Sequence, residues 1–313
     1  GRSFVAGEIA SQPGCWERAV ELAGAVQGLP EAGERVAVVG CGTSLFMAQA
    51  YAGLREAAGL GETDAFPASE FPRRRAYDRV VAICRSGTTT EVLELLRGVS
   101  PPTVAVTGDT ATPISEVADA VIDLGFADER SVVQTRFATT ALTLLRAHLA
   151  RTASASRAAG RASGDQAVGT GVTLLPEDPV GQAAAAVEAP LPDGATGRTQ
   201  FTFLGTGWTV GIANEAALKV REASGSWTES YPVMEYRHGP ISVTDGDSVV
   251  WFFGEPPAGL VGEVARTGAI VSVSELDPVA DLIRVQRLAV ELAEAKNLDP
   301  DRPRNLSRSV VLT

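Results

Sequence analysis

The sequence predicts an α/β protein of two doubly wound parallel sheets in tandem, each flanked by helices, the second reduced. Three observations predict it. Short β-branched apolar runs alternate with helical patterns, as strands covered on both faces by crossover helices do. A strand, glycine turn and helix segment occurs twice, as RVAVVGCGTSLFMAQA from residue 35 and TQFTFLGTGWTVGIANEAA from residue 199. The length, 313 residues, is that of two domains or one large one.

The elements follow in order. A helical N-terminal segment precedes the first strand, which ends at the G-x-G turn of residues 40–42. RVVAICRSG (79–87) is a buried strand ending in a turn, and TEVLELLRGV (90–99) is an amphipathic helix. TVAVTGD (103–109) is the next strand, and SEVADAVIDL (115–124) gives a helix and a short strand. RFATTALTLLRAHLARTAS (136–154) is a long helix that closes the first unit. Residues 155–198, rich in Ala, Gly, Ser and Pro, form a connecting segment with one helix, and a boundary near residue 160 divides domains 1–160 and 161–313. The second domain holds strands at 200–205, 248–253 and 269–273, a closing helix at 278–296, and an irregular tail.

Composition excludes several functions. A net charge of −11 and a pI near 4.8 argue against nonspecific nucleic-acid binding and against adhesion to anionic membranes. They leave room for a small anionic ligand in a local electropositive pocket. Cys15, Cys41 and Cys84 have no CxxC spacing, so neither a disulfide framework nor a zinc ribbon is expected. His148 and His238 stand alone, so no metal site is expected, and His148 reads as a packing or surface residue of the long helix. No run of 18 apolar residues and no leader pattern occur, so the expectation is a soluble cytoplasmic protein. The G-x-G lacks the third glycine of a dinucleotide fingerprint, no acidic ribose ligand follows, and no cofactor is expected. There is no G-x-S-x-G nucleophile elbow.

Three clusters can carry chemistry. Gly42, Thr43 and Ser44 lie where a helix N-terminus offers backbone N–H groups to an anion. Arg85, Ser86, Gly87 and Thr89, within CRSGTTTE, also follow a strand and open a helix. Helix capping would account for one such hydroxyl, whereas a phosphate cradle would use several. Two such turns at the carboxyl ends of adjacent parallel strands form a ligand crevice. The third cluster is Glu215, Lys219 and Glu222, on one helical face. It reads as a solvated ion-pair stripe or, with His238 in the constrained turn RHGP, as a proton-transfer site.

These motifs resemble the sugar isomerase (SIS) family, two such domains in tandem. The resemblance runs through EIASQPGCW, GCGTS, SGTTTE, SVVQTRFATTAL, LGTG, NEAALKVREAS, ESYPVMEYRHGP and PRNLSRSVVLT. Within the family the chain is similar to the isomerase half of the glucosamine-6-phosphate synthases and to stand-alone phosphosugar deaminases and isomerases. The resemblance implies that Thr43, Ser44, Ser86 and Thr89 hold the sugar phosphate, with Arg85 beside them. It implies that Glu222 shuttles a proton between C1 and C2, and that His238, donated by a neighbouring subunit of a homodimer, assists ring opening. Val132 and Gln134 of the SVVQTR loop are implied to touch the sugar. The synthase tail carries a lysine where this chain has Arg308, and a guanidinium does not readily form a Schiff base.

No glutaminase domain is seen, so the resemblance implies an enzyme that does not itself draw ammonia from glutamine. The expected activity is deamination of an amino-hexose 6-phosphate of the glucosamine-6-phosphate type to a ketose 6-phosphate. Alternatives are a non-deaminating phosphosugar isomerase, a fructosamine-type deglycase and a non-catalytic phosphosugar-binding sensor.

Overall fold

The computed structural model describes residues 3–160 and 171–312. Its elements are α1 (Phe4–Ala10), α2 (Gln12–Leu22), β1 (Val36–Gly40), α3 (Thr43–Ala57), β2 (Thr63–Pro67), β3 (Arg79–Cys84), α4 (Thr90–Gly98), β4 (Thr103–Thr107), α5 (Ile114–Val117), β5 (Ala120–Asp123) and α6 (Arg136–Ala158). They continue with α7 (Pro179–Glu188), β6 (Gln200–Gly205), α8 (Thr209–Ser224), β7 (Trp227–Pro232), β8 (Ser248–Phe253), α9 (Leu260–Ala265), β9 (Ile270–Ser272) and α10 (Pro278–Ala295).

Within the described residues the chain forms two compact units. The first comprises Gly14–Asp128, Arg136–Glu177 and Arg308–Thr313, the second Gly1–Pro13, Glu129–Thr135 and Asp178–Ser307. They depart from a division into 1–160 and 161–313. The N-terminal helix α1 and the loop 129–135 belong with the second sheet, residues 308–313 with the first, and the crossover lies at 177/178. Nothing in a local pattern marks a segment that leaves its covalent neighbours. Part of the connecting segment, residues 161–170, lies outside the described residues.

The first unit holds a five-stranded parallel sheet in the order β2-β1-β3-β4-β5. Strands β1 and β4 are buried along their whole length and β3 at all but its first residue, so they read as near-continuous apolar runs. The core between sheet and helices includes Val39, Val80, Ala82, Leu95 and Ile114, all at most 1 % exposed. Trp16 of α2 is fully buried, and its indole N–H donates to the Thr139 hydroxyl of α6 at 3.0 Å.

In the second unit the sheet has four parallel strands in the order β7-β6-β8-β9. This is the first order with its outermost strand missing, so "reduced" describes the sheet itself. Phe203, Trp251 and Phe253 pack across β6 and β8. Trp251 donates its indole N–H to buried Asp281 of α10 at 2.7 Å, and Arg284 pairs with the same carboxylate at 2.8 Å.

Two strands, β2 and β7, were not expected from the sequence. Both are edge strands, both end in proline, and most of their residues are half-buried or exposed. TDAFP and WTESYP lack both the buried run of a central strand and a clean alternation.

Candidate functional site

In each sheet the strand order reverses beside the first strand of the unit. For the first sheet this switch point lies between β1 and β3, whose carboxyl ends carry the Gly42–Ser44 and Arg85–Thr89 turns. Open α/β sheets bind ligands in such crevices.

Two glycines build the first turn. A Cβ at Gly40 would lie 2.6 Å from the Ser44 carbonyl carbon, so only glycine lets α3 start so close over β1. Gly42, the N-cap residue, takes φ +57°. The second copy repeats the device: a Cβ at Gly205 would lie 2.3 Å from the Thr209 oxygen, and Gly207 also has φ +57°. Thr43 and Ser44 begin α3 and are buried.

In the second turn the hydroxyls are not spent on a side-chain cap of α4. Thr89 is the N-cap residue of α4, but its side chain makes no capping hydrogen bond. Its hydroxyl instead lies 3.4 Å from both Ser86 Oγ and Ser309 Oγ. Ser86 Oγ accepts the Thr88 N–H at 3.2 Å and donates to Ser309 Oγ at 3.1 Å, and the Thr88 hydroxyl donates to Ser309 Oγ at 2.9 Å. Four hydroxyls therefore converge at the start of α4, one of them from the C-terminal tail. Thr88 and Ser309 were not singled out from the sequence. Thr88 sat in view within TTT, whereas nothing local ties residue 309 to residue 86.

Gly87 leaves no room for a side chain, since a Cβ would fall 1.9 Å from the Thr112 hydroxyl oxygen. Arg85 is buried and donates to the Arg308 carbonyl at 3.1 Å. The Arg308 guanidinium pairs with both oxygens of Asp128, at 2.6 and 2.7 Å. Beside these turns, burial and the Glu91 carboxylate push the Cys41 thiol up to about 12.

In the second unit, α8 carries Glu215, Lys219 and Glu222. Glu215 and Lys219 are fully buried, which rules out a solvated stripe, while the Glu222 side chain is 20 % exposed. Lys219 Nζ lies 3.3 Å from Glu215 Oε1 and 2.9 Å from Glu222 Oε2. Burial alone would lower the ammonium's pKa. Glu215, Glu222 and Glu129 outweigh it and hold the group above its ordinary range. The lysine thus stays charged and fixes the Glu222 carboxylate at the helix surface.

The loop 129–135 is held by two buried carboxylates. Glu129 Oε1 accepts the Thr135 N–H at 2.7 Å and its hydroxyl at 2.5 Å. Glu8 of α1 accepts the Arg130 N–H and the Ser131 hydroxyl, each at 2.5 Å. Neither acid was picked out from the sequence, where each looks like one of many surface acids. The loop presents Gln134, whose Oε1 is buried with no hydrogen-bond partner among the described residues. The Val132 N–H donates to the Asp301 carbonyl at 3.1 Å. His238 ends the 3₁₀ turn Glu235–His238 and is exposed, with Gly239 beyond it at φ +136°.

Glu222 also lines a cavity of about 480 Å³ bounded by the end of α8 and residues 298–306. The predicted residues thus fall into two groups. Gly42, Thr43, Ser44, Arg85, Ser86, Gly87, Thr89 and Arg308 belong to the first unit, and Val132, Gln134, Lys219, Glu222 and His238 to the second. Among the described residues no helix is long and apolar enough to cross a membrane.

No protein-family model matches the chain. The glutamine–fructose-6-phosphate aminotransferase (isomerizing) of Gloeobacter violaceus is 28 % identical over 328 residues, covering 89 % of this chain and 52 % of that protein. The chain spans about half the length of the curated relatives it matches. Glucosamine-6-phosphate deaminase from Thermotoga maritima shares the fold with a TM-score of 0.76 at 23 % identity, over 99 % of this chain and 100 % of that one. The C-terminal domain of glucosamine-fructose-6-phosphate aminotransferase from Francisella tularensis superposes with a TM-score of 0.73 at 22 % identity, over 96 % of this chain and 99 % of that one. Extended sequence similarity, together with a fold shared across nearly the whole length, gives this chain the tandem SIS-like architecture, two parallel sheets of five and four strands flanked by helices.

Proposed function

We infer that the chain moves a proton between C1 and C2 of a hexose 6-phosphate, and that its substrate is an amino-hexose 6-phosphate from which ammonia is released. The observation that carries this reading is the Glu222 carboxylate, partly exposed at a cavity and held at 2.9 Å by a buried, charged lysine. A base that must reach carbon needs a fixed orientation and an open face, and Glu222 has both.

The residues divide the work. The hydroxyls of Thr43, Ser44, Ser86 and Thr89, with the N–H groups of their turns, receive the phosphate. His238 assists ring opening. Glu222 takes the proton from C2 of the open-chain 2-amino aldose and returns it to C1, through an enolamine. C2 is then a ketimine. Water adds there, the C–N bond breaks, and ammonia leaves from a ketose 6-phosphate. Lys219 keeps the carboxylate in place through both transfers, and Gln134 offers its open carbonyl to a sugar hydroxyl. The structural relative from Thermotoga maritima, a glucosamine-6-phosphate deaminase, supports the choice of substrate. The chain works as a homodimer in which His238 serves the partner's site. Its exposure, and that of Met234 (49 %) and Val243 (54 %) around it, supports this.

The test is E222Q with glucosamine 6-phosphate, following ammonia and ketose together. Turnover is expected to fall by about 10²-fold or more while phosphosugar binding persists. Unchanged turnover would remove Glu222 from the mechanism, ketose without ammonia would reject deamination, and binding without turnover by the parent protein would make the chain a sensor.

A further inference from the structure

Helix α1 is tied by both of its ends to segments that flank Glu222 and the loop 129–135. At its start the Phe4 and Val5 N–H groups donate to the two carboxylate oxygens of Asp301, each at 2.8 Å, from 297 and 296 positions away in the chain. Ser3 caps the Ala6 N–H at 3.4 Å, so Asp301 takes the donors that this cap leaves over. An anion at this end also suits the helix dipole. One turn on, buried Glu8 accepts the Arg130 N–H and the Ser131 hydroxyl. The Arg130 guanidinium lies over the Phe4 ring, 4.1 Å from its centroid. The circuit closes where the Val132 N–H donates to the Asp301 carbonyl at 3.1 Å.

One side of this circuit, residues 130–132, runs directly into Gln134. The other side is the turn 299–302. There the Asp299 side chain accepts the Asp301 N–H at 2.9 Å, and its carbonyl accepts the Arg302 N–H at 3.2 Å. Asp299 and Arg302 line the cavity that Glu222 borders. The ends of the loop have further anchors. Glu129 reaches across to Thr135, and Gln286 donates to the Thr135 carbonyl at 3.5 Å while accepting from Gln12 at 2.7 Å. The Asp301 circuit therefore sets where the middle of the loop stands against the cavity wall. A carboxylate can accept from two N–H groups at once, whereas an asparagine has one acceptor oxygen and turns its own N–H groups on the second donor.

We propose that Asp301 is a positioning residue for the proton transfer. Acting through α1 and Glu8, and through its own carbonyl, it fixes where the loop holds the sugar against the wall beside Glu222. The proposal rests on Glu222 as the proton carrier and on Val132 and Gln134 as sugar contacts. A misplacement of the reacting carbons by about 1 Å costs on the order of 10²-fold in rate. The phosphate-binding turns belong to the other compact unit, so Asp301 acts on rate and not on phosphate affinity.

The experiment compares the full chain with D301N on glucosamine 6-phosphate. With enzyme in excess it reads a single-turnover rate constant, which does not change with the folded fraction. Calorimetry on the same preparation reads inorganic phosphate binding. D301N is expected to lower the rate constant by about tenfold or more and to leave the phosphate Kd within about twofold. E8Q, at the far end of α1, should show the same split, and it decides alone if D301N does not fold. E8Q/D301N should be no slower than the slower single variant, because both break one circuit. A smaller loss of rate, losses that multiply in the double variant, or a phosphate Kd weakened in step with the rate would overturn the proposal. Collapse of E222Q in the same assay would then leave the Glu222 assignment standing. No turnover by the parent protein would overturn both.

Discussion

Single residues separate roles that sequence alone leaves superposed. Thr89 occupies a capping position without capping, so Thr89→Ala should shift stability by less than the ~1 kcal/mol a lost cap costs. The same change should weaken glucosamine 6-phosphate or inorganic phosphate binding by about 10- to 100-fold, as loss of a hydrogen bond to a charged group does. Calorimetry and a thermal melt on one preparation read both. Cys41 sits within the G-x-G turn, yet a thiol pushed up to about 12 is almost entirely protonated near neutrality. Its alkylation by iodoacetamide at pH 8 should run about a hundredfold or more slower than that of a free cysteine thiol. Labelling at the free-cysteine rate would contradict the burial that causes the shift.

Helices and strands show why part of the fold was legible. Central strands β1, β3 and β4 advertise themselves because burial on both faces demands unbroken apolar runs. Edge strands β2 and β7 meet no such demand, and their half-exposed, proline-ended sequences pass for loops. The row on α8 shows the same limit for the site. Spacing puts Glu215, Lys219 and Glu222 on one face, but whether that face meets water or the core depends on what packs over it. Lys219→Met should cost about 3–5 kcal/mol, because Glu215 would stay buried without its cation. Urea denaturation measures this. Since the folded ammonium titrates above 10.5, the pair's contribution is complete below the unfolded value and is lost only as pH rises through the folded one. The stability curve should therefore show no Lys219 limb between pH 6 and 9, and a decline beyond about 10.5.

At the scale of the whole molecule, covalent order and compact units do not coincide. A chain cut at residue 160 would separate α1 and the loop 129–135 from the second unit, and residues 308–313 from the first. Fragments 1–160 and 161–313 should be readily proteolysed when expressed apart and more resistant when co-expressed. The proposed homodimer makes a sharper prediction. Mixed E222Q and H238A subunits, each inactive alone, should recover about a quarter of parental turnover, since half the dimers are heterodimers with one intact site each. No recovery in a verified mixed dimer would place both groups in one subunit's chemistry. The seat of Ser309 among Ser86, Thr88 and Thr89 carries a last consequence. On the proposed reading an arriving ester meets alcohols already drawn together by Ser309, and it exchanges one oxygen for another instead of gathering them from disorder. Its grip is set by the difference between guest and resident, so a phosphate prevails through charge, whereas an uncharged sugar meets its equal.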